Sequence, residues 1–375
     1  MEVIFTKKKI LGKTGFEVSL LGLGGFHMLE ISKDDVSKLM DIYIMSGGNY
    51  VETAAEYGDG ESENKIAYAL KHRRNQVILA SKCHARDKKN AQYFVERTLK
   101  NLNTDHLDIL FLHHVTTEED VEALLGNDSA LDYLFQAKKE GIIRALGVSF
   151  HGLGNYALKL IKAVDLDVLM TGFNYLDIFN FPSTYKEVIP FARSKNMGIV
   201  GMKAFADGYL YRSTYDALNY ALNQNLDVMV VGANSEEMLR KDIQIAENFK
   251  PLLKKSIENL YYRAPELGNY VCRQCGKCLP CPEDIEIMKV FEYEGWYDRQ
   301  MRDYQPHEAP DYALRERLAF WFGNQNEAKM SYSKLNKTFK DCTECGICEE
   351  RCPYDIPIIR KLKLVDYKLG KGEIY

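Results

Sequence analysis

Four ionisable side chains stand at the ends of short apolar runs. Glu52 and Tyr57 follow Asn49-Tyr50-Val51, Lys82 closes Leu79-Ala80-Ser81, and His113 closes Leu107-Asp108-Ile109-Leu110-Phe111-Leu112. A lysine beside a tyrosine favours the phenolate and lowers the phenol's pKa, while a carboxylate holds that lysine charged. Such a tyrosine can hand a proton to a carbonyl oxygen as a hydride arrives at carbon.

The cysteines point to a second chemistry. Eight of the nine lie from Cys272 onward, and only Cys83 precedes them. They form two tandem runs, Cys272-x2-Cys275-x2-Cys278-x2-Cys281-Pro282 and Cys342-x2-Cys345-x2-Cys348-x3-Cys352-Pro353. In a reducing compartment such thiols are metal ligands rather than disulfides. Two-residue gaps let one tight loop reach three corners of a cubane, with backbone N–H groups turned toward the anionic sulfurs. Structural zinc favours isolated Cys-x-x-Cys pairs with long spacers, so the spacing predicts two [4Fe–4S] clusters. By the rule that the fourth cysteine ligates the other cluster, Cys272, Cys275, Cys278 and Cys352 hold one. Cys342, Cys345, Cys348 and Cys281 hold the second. The first run departs from the usual pattern, with two residues rather than three before its last cysteine.

Between residue 18 and about 250, β-rich runs alternate with amphipathic stretches. Strands are expected at 18–23 and near 50–53, 77–82, 107–113, 145–149, 168–173, 198–202 and 228–232. A helix follows the first, opened by Ser32-x-x-Asp35, with Val36, Leu39, Met40 and Tyr43 on one face, and stopped by Gly47-Gly48. A last barrel helix is expected at about 236–249. Eight strand–helix pairs match a parallel (β/α)8 barrel of about 250 residues. An open doubly wound sheet would carry a GxGxxG loop after its first strand, which Gly22-x-Gly24-Gly25 does not match. Before the first strand, residues 10–18 read as a hairpin turning at Thr14-Gly15, and 252–263 as one more helix. No sequence repeat, low-complexity tract or long Gly/Ser linker is evident.

Composition fits a soluble globular chain: 375 residues, 46% hydrophobic, 27% charged, net charge −4. The mild acidity argues against nucleic acid as a partner, and no apolar run approaches the roughly 18–20 residues that span a bilayer. The start, Met1-Glu2-Val3-Ile4-Phe5 before three lysines, lacks the order of a signal peptide, so a cytoplasmic location is expected.

The barrel segment resembles the aldo-keto reductase family, from the Leu11-Gly12-Lys13-Thr14-Gly15 hairpin to about residue 250. Tyr57, Lys82 and His113 fall on the family's tyrosine, lysine and histidine, and Glu52 stands where the family has an aspartate. With the cysteine runs, the chain resembles the branch with a C-terminal ferredoxin-like domain. The implied architecture is α/β: a (β/α)8 TIM barrel over 1–260, then an α-helical ferredoxin-like iron–sulfur domain over 265–375. The resemblance implies reduction of a carbonyl by NADP(H) or NAD(H), with Tyr57 as acid and His113 orienting the substrate. The family's Ser-Asn grip on the nicotinamide carboxamide reads Ser149-Phe150-His151 here, and its glutamine reads Met170. The arginine that clamps the 2′-phosphate aligns near Met238, with Arg240 and Lys241 close by. Gly232-Ala233-Asn234-Ser235 leads into a helix N-terminus, a generic anion site, with Glu236 and Glu237 in its first turn. Lys203 and Arg212 are candidates for a pyrophosphate or are surface charges, and Asn174 joins the cofactor-binding candidates. His27, His84, His114, His151 and Cys83, also near strand ends, are read as packing, with a polar pocket as the alternative.

The aromatics between the cysteine runs, Phe291, Tyr293, Trp296, Tyr297, Tyr304, Tyr312, Phe320, Trp321 and Phe322, are read first as glue between domains and second as a lid. The leading functional reading is an oxidoreductase acting on a small carbonyl or hydroxy-carbonyl substrate. Its two clusters would communicate with an electron carrier such as ferredoxin or flavodoxin. The alternative is nicotinamide-independent: the clusters drive one-electron reduction through a ketyl radical, or reductive dehydroxylation. A non-catalytic redox sensor is the third, left open by Glu52.

Overall fold

The computed structural model describes residues 8–299 and 325–370. Among these residues ten strands are formed: β1 (Lys8–Ile10), β2 (Glu17–Ser19), β3 (Leu21–Gly24), β4 (Tyr50–Glu52), β5 (Ile78–Cys83), β6 (Leu107–Val115), β7 (Ile143–Phe150), β8 (Val168–Gly172), β9 (Gly198–Met202) and β10 (Val228–Gly232). β3 to β10 close into a parallel barrel in chain order, with β10 pairing back onto β3 through Val230 opposite Gly22. The expected strand at 18–23 is two strands. β2 pairs antiparallel with β1, and the barrel begins only at Leu21. Ser19 makes the break: its N–H donates to Asn49 Oδ1 and its hydroxyl to the Leu21 carbonyl, side-chain partners that redirect the chain between the two sheets.

The expected hairpin is present as β1–β2, with a single helical turn, Gly12–Thr14, and a left-handed Gly15 at its tip. Its apolar side chains turn inward. Leu11, Phe16 and Val18 join Tyr50, Ile109, Phe111, Val200 and Val228 in the core inside the strands. Gly12 is required there: its φ is +47°, and a Cβ would stand 2.1 Å from the Gly198 nitrogen.

The same end of the barrel carries a device repeated three times, a buried aspartate at or just before a strand's first residues. Asp108 accepts the N–H of Leu79, Asp167 that of Leu146, and Asp227 that of Ile199. Each carboxylate is neutralised by cations: Arg74 and Arg144 on Asp108, Lys138 on Asp167, and a two-pronged Arg193 on Asp227. These side chains staple neighbouring strands at the N-terminal end, where barrel residues serve stability.

The helices behave as their periodicity predicts. Lys33–Met45 buries Val36, Leu39, Met40 and Tyr43, and Ser32 accepts the Asp35 N–H as its cap. Glu236–Glu247 and Lys254–Arg263 occupy the two last expected stretches. Beyond them, helices Ile287–Asp298, Gln325–Ser333 and Ile358–Leu369 enclose a second core of Ile285, Val290, Phe291, Tyr332, Leu362 and Val365. Trp296 packs against both cores and donates its indole N–H to the Asn180 carbonyl at 2.8 Å, so for this residue the glue reading holds. Tyr304, Tyr312, Phe320, Trp321 and Phe322 lie outside the described residues. Among those described, no helix is long and apolar enough to cross a membrane.

Leu11 is fully buried where the hairpin enters the barrel. Leu11→Ala is expected to lower stability by about 2–5 kcal/mol, the usual cost of a buried leucine cavity. Urea unfolding of the two proteins measures it.

Candidate active site and cysteine segment

Glu52 ends β4, Lys82 lies near the end of β5, and His113 lies near the end of β6, so the barrel delivers all three to its C-terminal mouth. Tyr57 reaches the same point from the loop after β4. Lys82 is 1% exposed. Its ammonium donates to Tyr57 Oη at 2.9 Å and to the Thr53 carbonyl at 2.9 Å, and it is in direct ionic contact with Glu52. The extra methylene of glutamate relative to aspartate is thus accommodated. Burial pulls the Lys82 pKa well below its ordinary value. The expected lowering of the tyrosine pKa is not found. Burial, with the Glu56 charge as a lesser cause, raises it above the usual phenol value. Tyr57 therefore carries its proton through neutral pH.

Glu56 is a partner that the sequence reading missed. Its Oε2 lies 2.7 Å from His113 Nδ1, and His84 Nδ1 lies 3.7 Å from its other oxygen. Burial lowers His113 to about 4 against the raising effect of Glu56. Burial alone would raise Glu56, but His113, His84 and His114 together hold it at about 2. At neutral pH the pair is a carboxylate beside a neutral imidazole. A charged residue directly before the tyrosine in Ala54-Ala55-Glu56-Tyr57 was the available signal.

The mouth opens into a cavity whose walls include Glu52, Tyr57, Lys82, His151, Met170 and Lys203. His113 packs edge-on against Tyr57, with ring centroids 5.8 Å apart, and is not among the lining residues. His151 is, so for this residue the polar-pocket alternative is the better description. Its Nε2 is 2.9 Å from Ser149 Oγ, and its ring is 5.1 Å from that of His114.

The nucleotide candidates separate. Gly232 and Lys203 line the cavity. Asn174 is buried and bonds Asp177 and the Lys203 carbonyl. Lys203 pairs with Asp207 at 3.0 Å, and Arg212 lies over the Tyr211 ring. Ser235 caps its helix by accepting the Met238 N–H, and exposed Arg240 faces Glu236 at 3.5 Å. Asn174, Arg212, Ser235 and Arg240 are not brought to the cavity wall.

The two cysteine runs meet in space, with Cys348 near both Cys278 and Cys281. Cys272 and Cys278 sense the charges of Cys275 and of Cys352. Cys281, from the first run, lines one small cavity with Cys342, Cys345 and Cys348. Thiol donors from both runs brought into one region suit iron–sulfur clusters. Burial pushes the thiols of Cys272, Cys278 and Cys348 up to about 11, so a bound metal cluster is what would hold them as thiolates. No three His, Cys, Asp or Glu side chains converge on a single-ion site among the described residues; cubane thiolates instead spread over the corners of a cluster.

The runs also form a repeat that the sequence reading did not see. Gln274 and Glu344 share φ +53°, Gly276 and Gly346 are left-handed, and Asp284 and Asp355, each three residues past its Cys-Pro cysteine, are at +58° and +51°. The Gln274 and Glu344 N–H groups each donate to the first sulfur of their run at 3.4 Å.

Residues 20–220 match the model of the aldo/keto reductase family. The chain belongs to that family. It is an oxidoreductase of aldo-keto reductase type with a C-terminal iron–sulfur domain, for residues 271–357 match the 4Fe-4S dicluster domain. Among curated relatives, an uncharacterized oxidoreductase of Bacillus subtilis, YqkF, is 26% identical over 231 residues, covering 58% of this chain and 71% of that one. L-galactose dehydrogenase of Arabidopsis thaliana is 27% identical over 218 residues, covering 54% and 66%. Among solved structures, a holo aldo-keto reductase from Bacillus halodurans superposes with a TM-score of 0.60 at 24% identity, over 68% of this chain and 95% of that one. One from Klebsiella pneumoniae in complex with NADPH gives 0.58 at 19%, again over 68% and 95%. These likenesses establish the barrel fold of this aldo-keto reductase.

The two acid–base groups give a signed pH dependence. Because folded His113 stays neutral to about 4, the unfolded chain binds the extra proton between its ordinary pKa of 6.5 and that value. Stability is therefore expected to fall as pH drops from 6.5 to about 4, and Glu56 extends the loss from 4.5 toward 2. His113→Asn should flatten the upper part of the profile in urea midpoints measured against pH.

Proposed function

We propose that this aldo-keto reductase reduces a small carbonyl or hydroxy-carbonyl compound at the barrel mouth, with Tyr57 as proton donor. The observation that carries the reading is a buried phenol held at 2.9 Å by Lys82 on the wall of a cavity. Tyr57 holds the proton at Oη, Lys82 fixes that oxygen and stabilises the charge left on it, and Glu52 keeps Lys82 cationic. Glu56 fixes the ring of His113 beside Tyr57.

A nicotinamide bound at the mouth would supply hydride to the carbonyl, or clusters bound by the cysteines would relay single electrons to it from a reduced carrier. Support for the nicotinamide is the fold shared with the NADPH complex and the presence of Ser149, Gly232 and Lys203 at or next to the mouth. Its remaining contacts would come from Asn174, Arg212, Ser235 or Arg240 only after rearrangement. We assign Cys272, Cys275, Cys278 and Cys352 to one [4Fe–4S] cluster and Cys342, Cys345, Cys348 and Cys281 to another. The barrel unit would occupy 1–260 and the iron–sulfur unit 265–375, in the cytoplasm. Cys275 and Cys345 are exposed, which suits access by a ferredoxin or flavodoxin.

The nicotinamide-independent reading keeps one specific support. Met170 stands in the cavity wall where the family has a glutamine, and Ser149 is engaged by His151.

Anaerobic protein mixed with NADPH or NADH decides between them. Bleaching of the visible cluster absorption supports hydride-to-cluster coupling. Bleaching by dithionite alone, with no nucleotide binding by calorimetry, supports the alternative. Tyr57→Phe is expected to lower reduction of accepted aldehydes and ketones by about 10²–10⁴-fold with nucleotide affinity unchanged, and unchanged activity would sink the assignment. Cys352→Ala and Cys281→Ala should each lose about half of the iron and a different cluster signal by electron paramagnetic resonance.

A further inference from the structure

The loop after β9 is held from outside the barrel. Lys203, Ala206 and Asp207 have φ of +59°, +48° and +57°, a left-handed conformation that non-glycine residues adopt only where surroundings enforce it. Two of the three, Lys203 and Asp207, line the mouth cavity. The cation that reaches this loop from outside the barrel is Arg299, just past the last turn of helix Ile287–Asp298 in the C-terminal segment. Its Nε donates to Asp177 Oδ1 at 2.5 Å, and one terminal nitrogen donates to Asp177 Oδ2 at 3.0 Å and Asp207 Oδ2 at 3.1 Å. Asp207 in turn holds Lys203 at 3.0 Å. Asn174 completes the lattice, since its amide bonds both Asp177 and the Lys203 carbonyl.

The helix that carries Arg299 is seated closely. A Cβ on Gly295 would stand 2.5 Å from Asn180 Oδ1, and Trp296 bonds the Asn180 carbonyl. On its other side Arg299 lines a second cavity, of about 490 Å³, shared with Cys272, Tyr209 and Lys361. One side chain thus stands between the first cysteine run and the barrel mouth.

We propose that Arg299 is a positioning residue for the barrel mouth: the iron–sulfur segment, through Asp207, helps the barrel's own Asn174 hold Lys203 and Asp207 in the cavity wall. The site is complete only with that segment seated. By reciprocity, a ligand that engages Lys203 strengthens the seating of the cysteine-bearing segment. The inference concerns the wall itself and stands whichever electron source operates.

The test uses the anaerobically purified holoprotein and Arg299→Met, compared by hydrogen exchange and mass spectrometry, with iron content measured on both. Arg299→Met is expected to raise exchange in residues 203–208 by at least roughly tenfold, as loss of one partner from a buried ion pair frees the others. Exchange in β9 and β10, and the iron content, should match the wild type. Acylation of Lys203 by an amine-reactive ester should accelerate in parallel. Arg299→Lys, which keeps the charge but not the fork, should fall between the two. Unchanged exchange and unchanged Lys203 reactivity in Arg299→Met would overturn the proposal. So would a uniform rise across β9 and β10 in both variants, which would make Arg299 a general stability residue.

Discussion

A lysine buried to 1% exposure at the mouth of an apolar barrel is the constraint around which the active-site end is built. An isolated ammonium there would be prohibitively costly, so its partners must arrive from several elements at once. Glu52 comes from β4, Thr53 offers a carbonyl, and Tyr57 returns from the following loop. The phenol's position is thus a by-product of satisfying a cation. Glutamate serves in place of aspartate because the requirement is a carboxylate in contact, not a particular side-chain length.

The two ends of the barrel use carboxylates for opposite purposes. At the N-terminal end Asp108, Asp167 and Asp227 receive both a cation and a neighbouring strand's N–H, so their oxygens are consumed by the fold. At the mouth, Glu52 and Glu56 each support a side chain that faces or flanks a cavity. The same residue types therefore divide into structure and chemistry by which end of a strand they occupy.

Much of this was legible in the sequence because it is local. The strand–helix alternation, the cap at Ser32 and the four strand-end groups are read within windows of a few residues. What escaped depended on distant partners. Arg299 meets Asp177 across 122 residues, and the aspartate staples meet strands 21 to 29 residues away. Nothing in either local pattern marks them. The repeat of the cysteine runs was masked by a one-residue difference in their last gap, and of its matching left-handed positions Gln274 and Glu344 are unlike while Gly276 and Gly346, and Asp284 and Asp355, are the same residues. The split of the first expected strand was hidden for a related reason: Ser19 breaks it by bonding to Asn49, 30 residues on.

The hairpin of β1 and β2 fills the far end of the barrel with Leu11, Phe16 and Val18. With Tyr50, Ile109, Phe111, Val200 and Val228 packed above it, the interior is a filled plug rather than a passage. Chemistry is thereby confined to the rim, where Tyr57 and Lys82 line the cavity.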